Sequence, residues 1–417
     1  MQPGPQAGRP LALSELSRRR PGLKRWLHGL TMLPNLRRKR RWRWPDRVEL
    51  RWPTWSTIWH FIRVAAHLVR VAFVLARVWA WVLWRIAWRV VDWAWDNLRA
   101  LVLDTYDSLR PQASRILREE PGIDAARDAR SVAVFVQFSP DGTISEMVRC
   151  QVAAYRELGF AVTVVSNSPA FPEESWQAAR QVASLVVWRR NEGLDFGAWK
   201  DLTPIVLERW PQAEELLLVN DSVLGPIRPL APVFKAMRAG GPGVFGLLES
   251  HQGGPHLQSW FTLVRGGAAI GDVAGFLQRL KLSRSKWKII QRGELRLARK
   301  MQAAGHRVAS LYAYEQLMRM ALADPDDRAY LERALPAWFT MTDPSEYHDI
   351  LVNRPVNPAH HLWRALTGSA GCPFIKTELV RRNPGELPDV ATWPDLVSAD
   401  TPCPVPVIRQ HLALLGP

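Results

Sequence analysis

Three runs of this chain are apolar almost from end to end: 131–138 (SVAVFVQF), 160–166 (FAVTVVS) and 215–219 (ELLLV). Each has strand length, and a shorter apolar run at 185–188 joins them. The segments between, about 144–158, 172–184 and 198–208, read as helices; the second opens on Pro172-Glu173-Glu174. Strands separated by helices imply a parallel sheet with right-handed crossovers, an α/β fold. Ligands of such sheets bind at the carboxyl ends of the strands. Here those ends carry polar residues. The second strand runs into Asn167-Ser168, the third into a segment from Arg189 and Arg190 to Lys200, and the fourth into Asn220-Asp221-Ser222. Such donors and cations suit the phosphates of a nucleoside diphosphate, and Asp221 suits a hard divalent cation such as Mg2+ or Mn2+. Any one of these ends reads equally well as a turn or a helix cap, and Gly193 and Gly197 as tight-turn residues. Three in succession favour a site.

Charge divides the chain. Residues 1–100 hold 20 Lys+Arg against 5 Asp+Glu, so +15 of the total +16 resides there, with 12 of the 21 Trp. The remaining 317 residues are nearly neutral, which disfavours a globally basic nucleic-acid-binding domain. Three widely spaced Cys support neither a disulfide framework nor a CxxC metal site. Residues 1–50 carry Arg clusters among Pro and Gly and are expected to be largely disordered. They contain no short apolar run with a small-residue cleavage site, so the arm is expected to stay in the cytoplasm.

From 56 to 103 the chain contains neither Gly nor Pro. Arg63, His67, Arg70, Arg77, Arg85, Arg89, Asp92, Asp96 and Arg99 project onto one helical stripe about 120° wide at 100° per residue. Trp79, Trp84 and Trp93 lie outside that stripe, while Trp81, Trp88 and Trp95 fall on its side of the helix. A span across the bilayer needs about 20 apolar residues, and the Arg spacing interrupts every such run. Lying in the interface avoids burying those Arg and places Trp at its preferred depth. The segment 51–105 is therefore expected to be an amphipathic helix on an anionic membrane surface, at the inner face of the cell membrane. Packing on the protein's own body, pairing with another helix and contact with nucleic acid are the alternatives.

Five stretches then resemble one family: NEGLDFGAWKD (191–201), LLLVNDSVLGP (216–226), HLQSWF (256–261), NPAHHLW (357–363) and PFIKTELVRRNP (373–384). Together they are similar to the rhamnan synthesis F family of glycosyltransferases over residues 131–385. The resemblance implies a GT-A-like, nucleotide-binding mixed or parallel sheet with flanking helices, here preceded by the long amphipathic helix. It implies sugar transfer from a nucleotide-diphosphate donor, with rhamnose as a candidate sugar, to a cell-surface polysaccharide or lipid-linked glycan. By position, Asn191, Gly193, Asp195 and Lys200 would form the donor loop, beside Asn167, Arg190, Asn220 and Ser222. Asp221 would stand at the metal position, although Asn220-Asp221-Ser222 departs from Asp-x-Asp. Lys376 and Arg382 would approach the donor phosphates. Gln258, Ser259 and Trp260 would line the acceptor side, with Trp260 read equally as core.

A transfer with inversion needs a carboxylate to deprotonate the acceptor. Glu249, which ends the apolar run 244–248, is the first candidate, with His256 and Glu294 behind it; Glu294 reads equally as a surface ion pair. The expected organisation is a basic tail (1–50), the interface helix (51–105), a linker (106–130), a transferase domain (131–390) and a C-terminal tail (391–417). A second function class remains open: a catalytically silent, membrane-docked glycan- or nucleotide-binding scaffold of a polysaccharide assembly complex.

Overall fold

The computed structural model describes residues 55–109, 114–122 and 128–416, so the tail 1–50 lies outside the described residues. The chain divides into two compact units, one running to Val102 and one from Leu103 onward.

The first unit contains most of α1 (Trp55–Leu109), a single helix of 55 residues. Its length follows from the long run without Gly or Pro. Between Trp55 and Val102 every described side chain except Asn97 is exposed, Trp79, Trp84, Trp88, Trp93 and Trp95 by 57–63%. Arg85 lies over the Trp81 ring at 4.6 Å, one turn away. Among the described residues no helix is long and apolar enough to cross a membrane.

The second unit is built on a mostly parallel sheet ordered β1-β4-β3-β2-β5-β9-β7-β10, with β8 beside β7. The strands are β1 (Ile116–Pro121), β2 (Ser131–Gln137), β3 (Phe160–Ser166), β4 (Leu185–Arg189), β5 (Glu215–Asn220), β6 (Val223–Leu224), β7 (Gly243–Ser250), β8 (His256–Leu257), β9 (Phe261–Arg265), β10 (Val308–Tyr312) and β11 (Ile375–Lys376). Strands β2 to β5 run parallel, β9 is antiparallel to both neighbours, and β7 pairs parallel with β10.

Alternation along β2 explains the near-continuous apolar runs. Ala133 and Phe135 face one core, Val132, Val134 and Val136 the other. The first core is covered by α2 (Glu146–Glu157), α3 (Glu173–Arg180) and α5 (Ala231–Arg238), the second by α4 (Leu194–Arg209) and α6 (Gly267–Arg279). With helices on both faces, these strands have no polar face to display.

Two expected boundaries change. The stretch 106–130, read as a linker, contains β1, which pairs antiparallel with β4 at the sheet edge. Its charged sequence, ILREEP, hid the strand: Arg118 bonds Glu120 and Glu173, and such charges suit an edge. The stretch 391–417, read as a tail, buries Trp393, Cys403 and Ile408 in the first core. There Ser145, which caps the start of α2, bonds His411 of the helix Val405–Leu414 at 2.7 Å.

Candidate functional site

The carboxyl end of β5 is the centre of a polar cluster. Just beyond it the chain turns into β6, which pairs antiparallel with β11, 150 residues further on in the sequence. That pairing sets Lys376 beside Ser222, with Nζ 2.8 Å from Oγ. Ser222 in turn donates to Asn220 Oδ1, and Asn220 Nδ2 donates to Asp195 Oδ2 at 2.6 Å. Asp221 turns the other way across the end of β2, where its Oδ2 accepts the Phe138 N–H at 2.7 Å.

Asp195 reaches this cluster because α4 begins earlier than the sequence suggests, at Leu194 after Gly193 in the left-handed region (φ 77°). The expected donor loop is thus largely the first turns of a helix. Gly197, within that first turn, is required by packing: a Cβ there would lie 1.8 Å from the Glu192 carbonyl oxygen.

Two half-buried carboxyls and an ammonium share the site. Burial pushes Asp221 up to about 7; the Phe138 N–H opposes the shift, and the Asp195 charge adds to it. Burial also raises Asp195 to about 6, against Lys376 and the Asn220 bond. Lys376 is drawn below its ordinary value by burial, with Glu294 and Asp195 opposing. Both carboxyls thus change charge close to neutrality, where a proton acceptor or a cation ligand is most useful.

A second group lies alongside. His256 on β8 holds the Gly254 carbonyl through Nδ1 (2.8 Å), and its Nε2 is 3.6 Å from Glu294, which also accepts from Ser259 Oγ at 3.1 Å. The charge of Glu294 is felt at both Asp195 and Lys376. Lys286 and Glu378 act on Lys376 as well, and His360, pushed down to about 4 by burial, feels Glu378 and Lys376 in turn. Of these, sequence reasoning offers His256, Glu294 and Glu378, the last within PFIKTELVRRNP; it misses the roles of Lys286 and His360, although His360 lies in the quoted stretch NPAHHLW.

Other expected residues stand elsewhere. Asn167 is enclosed, accepting from Arg189 (2.8 Å) and donating to the Leu194 carbonyl (3.3 Å), so it ties β3 to α4. Arg190 and Asn191 are exposed at the sheet edge. Lys200 donates to the Gln278 and Leu280 carbonyls at 2.7 and 2.8 Å, where it caps α6. Arg382 sits exposed at the far end of the helix Thr377–Arg382, about 9 Å along the axis from Lys376.

Glu249 is 2% exposed, and its carboxylate is taken up by His251 (3.1 Å), Ser310 and the Tyr314 N–H. Its enclosure follows from its place on β7, which is buried along its whole length. Gln258 is spent on Asn357 and the Trp260 indole. Trp260 itself is core, edge-on to Phe374 at 5.9 Å.

Comparison with known proteins bears on this region. Residues 162–326 match the family model of rhamnan synthesis protein F. The match lies inside the 131–385 expected and contains Asp195, Asn220, Asp221, Ser222, His256 and Glu294, while Lys376 falls beyond it. It associates this segment with rhamnan and polysaccharide synthesis. An uncharacterized protein, y4gN, of Sinorhizobium fredii is 26% identical over 195 residues, covering 45% of this chain and 50% of its own length. Virulence protein VirA of Vibrio anguillarum is 26% identical over 215 residues, covering 50% of this chain and 66% of that protein. The chain thus spans half to just under two thirds of the curated relatives it matches.

Proposed function

We propose that this protein is a nucleotide-sugar-dependent glycosyltransferase of cell-surface polysaccharide synthesis, working from the cytoplasmic face of the membrane with a GT-A-like core. The observation that carries the reading is the Asp195–Asn220–Ser222–Lys376 chain, with Asp221 beside it, at the strand ends of a segment matching rhamnan synthesis protein F. The sheet order supports it, since a parallel β4-β3-β2-β5 half is where a nucleotide sits in such folds.

In this reading Lys376 and the Ser222 hydroxyl meet the donor diphosphate. As the bond from sugar to phosphate breaks, negative charge grows on the departing nucleoside diphosphate, and a fixed ammonium stabilises it more than the ground state. Among the described residues no group of three His, Cys, Asp or Glu could cage a metal. Mg2+ needs only one or two carboxylates when substrate phosphates complete its shell, and Asp221 with Asp195 fits that need. A bound cation would supply charge neutralisation for the diphosphate. For the acceptor proton, half-buried Glu294, beside the buried His256, is the less enclosed counterpart of Glu249.

The test is release of nucleoside diphosphate from a donor panel by purified protein. Lys376→Met is expected to lower kcat/KM about 100-fold on the active donor, as loss of a charge-stabilising donor does. Donor binding with no turnover across the panel would reject the enzyme in favour of the silent scaffold.

The exposed Arg/Trp face of α1 supports attachment to an anionic leaflet. Each basic residue there contributes about 1 kcal/mol, so Arg63, Arg70, Arg77 and Arg85 changed together to Glu should weaken binding to phosphatidylglycerol vesicles by about 1,000-fold or more. Vesicle co-sedimentation equal to wild type would refute the attachment.

A further inference from the structure

Outside the strand-end cluster, like charge gathers between α6 and the helix Leu295–Ala303. The two helices pack on the second core through Val273, Leu277, Ala298 and Met301, and their outer edges leave a cavity of about 490 Å³. Arg279, Lys281, Arg292, Arg296 and Lys300 surround it, with Phe276 among the lining residues.

Spacing explains the array. Arg292, Arg296 and Lys300 recur every four residues, while Phe276 and Arg279 share one face of α6, so two helical stripes face one groove. Among the described residues none of these five cations forms an ion pair with a carboxylate; Arg292 donates to the Lys281 carbonyl at 3.1 Å. The one acidic lining residue, Asp272, is bonded to His306 at 2.6 Å. Five cations gathered without counter-ions repel one another, a cost that an anionic ligand relieves. Three guanidinium groups match the geometry of phosphate oxygens, and the Phe276 ring gives the groove an apolar contact.

We infer that the groove between α6 and the helix Leu295–Ala303 is a binding site for a phosphate- or diphosphate-bearing ligand, separate from the strand-end cluster. The two lining sets share no residue, so the site stands whether or not the chain transfers sugar. Phosphate of this kind is presented by a soluble diphosphate or by a phospholipid headgroup. The apolar contact suits a lipid, and the charge suits both.

The experiment uses the full chain, titrated in a calorimeter with inorganic pyrophosphate and separately with monomeric dioctanoyl phosphatidic acid. The wild type is expected to bind at least one probe, and the probe bound identifies the source. In a Lys376→Met background, which removes the diphosphate contact of the strand-end cluster, Arg296→Gln with Lys300→Gln, both exposed positions, should weaken that probe about tenfold or more. Matching melting temperatures with and without these two changes would show that the fold is intact. The site is overturned if the Lys376→Met protein binds neither probe, or if adding the Arg296→Gln and Lys300→Gln changes to it leaves binding as tight.

Discussion

Asp221→Asn should lower donor turnover by about 100- to 1,000-fold, the loss expected when one preorganised charged group leaves a transition state. Asn keeps an oxygen for the Phe138 N–H, so the end of β2 retains its anchor and only the charge is lost. Stability should move the opposite way. The folded Asp221 carboxyl is held up near 7, above its ordinary 3.8, so the folded state favours the protonated form. Its stabilising contribution is complete below about pH 4 and is lost as pH rises through 7. At pH 8 the wild type therefore carries a buried charge that the variant lacks. The variant's thermal midpoint should be at or above that of the wild type at pH 8, and the gap should close as pH falls from 7 toward 4. Wild-type kcat/KM should rise between about pH 6 and 7, as Asp195 and Asp221 lose protons. Full turnover in Asp221→Asn would remove Asp221 from the mechanism; a collapsed fold at both pH values would contradict the linkage.

Arg189→Ala is expected to be the most destabilising single change near the site, while Arg190→Ala next to it should cost less than about 0.5 kcal/mol. Arg189 is fully buried, and its guanidinium holds Asp201 at 3.0 Å, Asn167 at 2.8 Å and the Glu192 carbonyl at 2.9 Å. Burial lowers its pKa, with Asp201 opposing, as for a charge that survives only through its partners. Breaking such a buried set costs about 3–5 kcal/mol, and Arg115, which also grips Asp201 at 2.8 Å, keeps the expectation at the lower end. Loss of Arg189 strands Asn167 and Glu192, the two contacts that position the start of α4, so Asp195 should be displaced and turnover should fall too. Chemical denaturation of the two variants separates them. Equal midpoints would show that the buried network is not what holds α4 in place.

These adjacent arginines show how far the sequence could be read. Arg189 ends β4 pointing inward, whereas Arg190 lies just past the strand and is exposed. The sequence offers both as cations for phosphate, since strand periodicity does not say which side of a strand end closes over. Lys200 departs from its expected place for a related reason. It lies six residues into α4, not in a loop, and it meets the C-terminal end of α6. Glu249 ends an apolar run in a way that suits a catalytic carboxylate, yet Tyr314 and Ser310 close over it.

What the sequence determined by itself is local. Period and apolar length specified β2 to β5 and the helices between them, because strands buried on both faces admit few polar residues. The one-sided Arg stripe specified α1, since only a 3.6-residue repeat gathers those residues onto one face. The order of strand ends placed Asn220, Asp221 and Ser222 at the head of the sheet. Tertiary structure decided which charged groups stand together. Lys376 reaches Ser222 only because β11 pairs with β6. The five cations of the α6 groove converge only because the two helices pack on the same core. Side-chain periodicity is written within a few residues of chain, but pairing across 150 residues depends on how separate elements close around their cores, and that closure leaves no local trace.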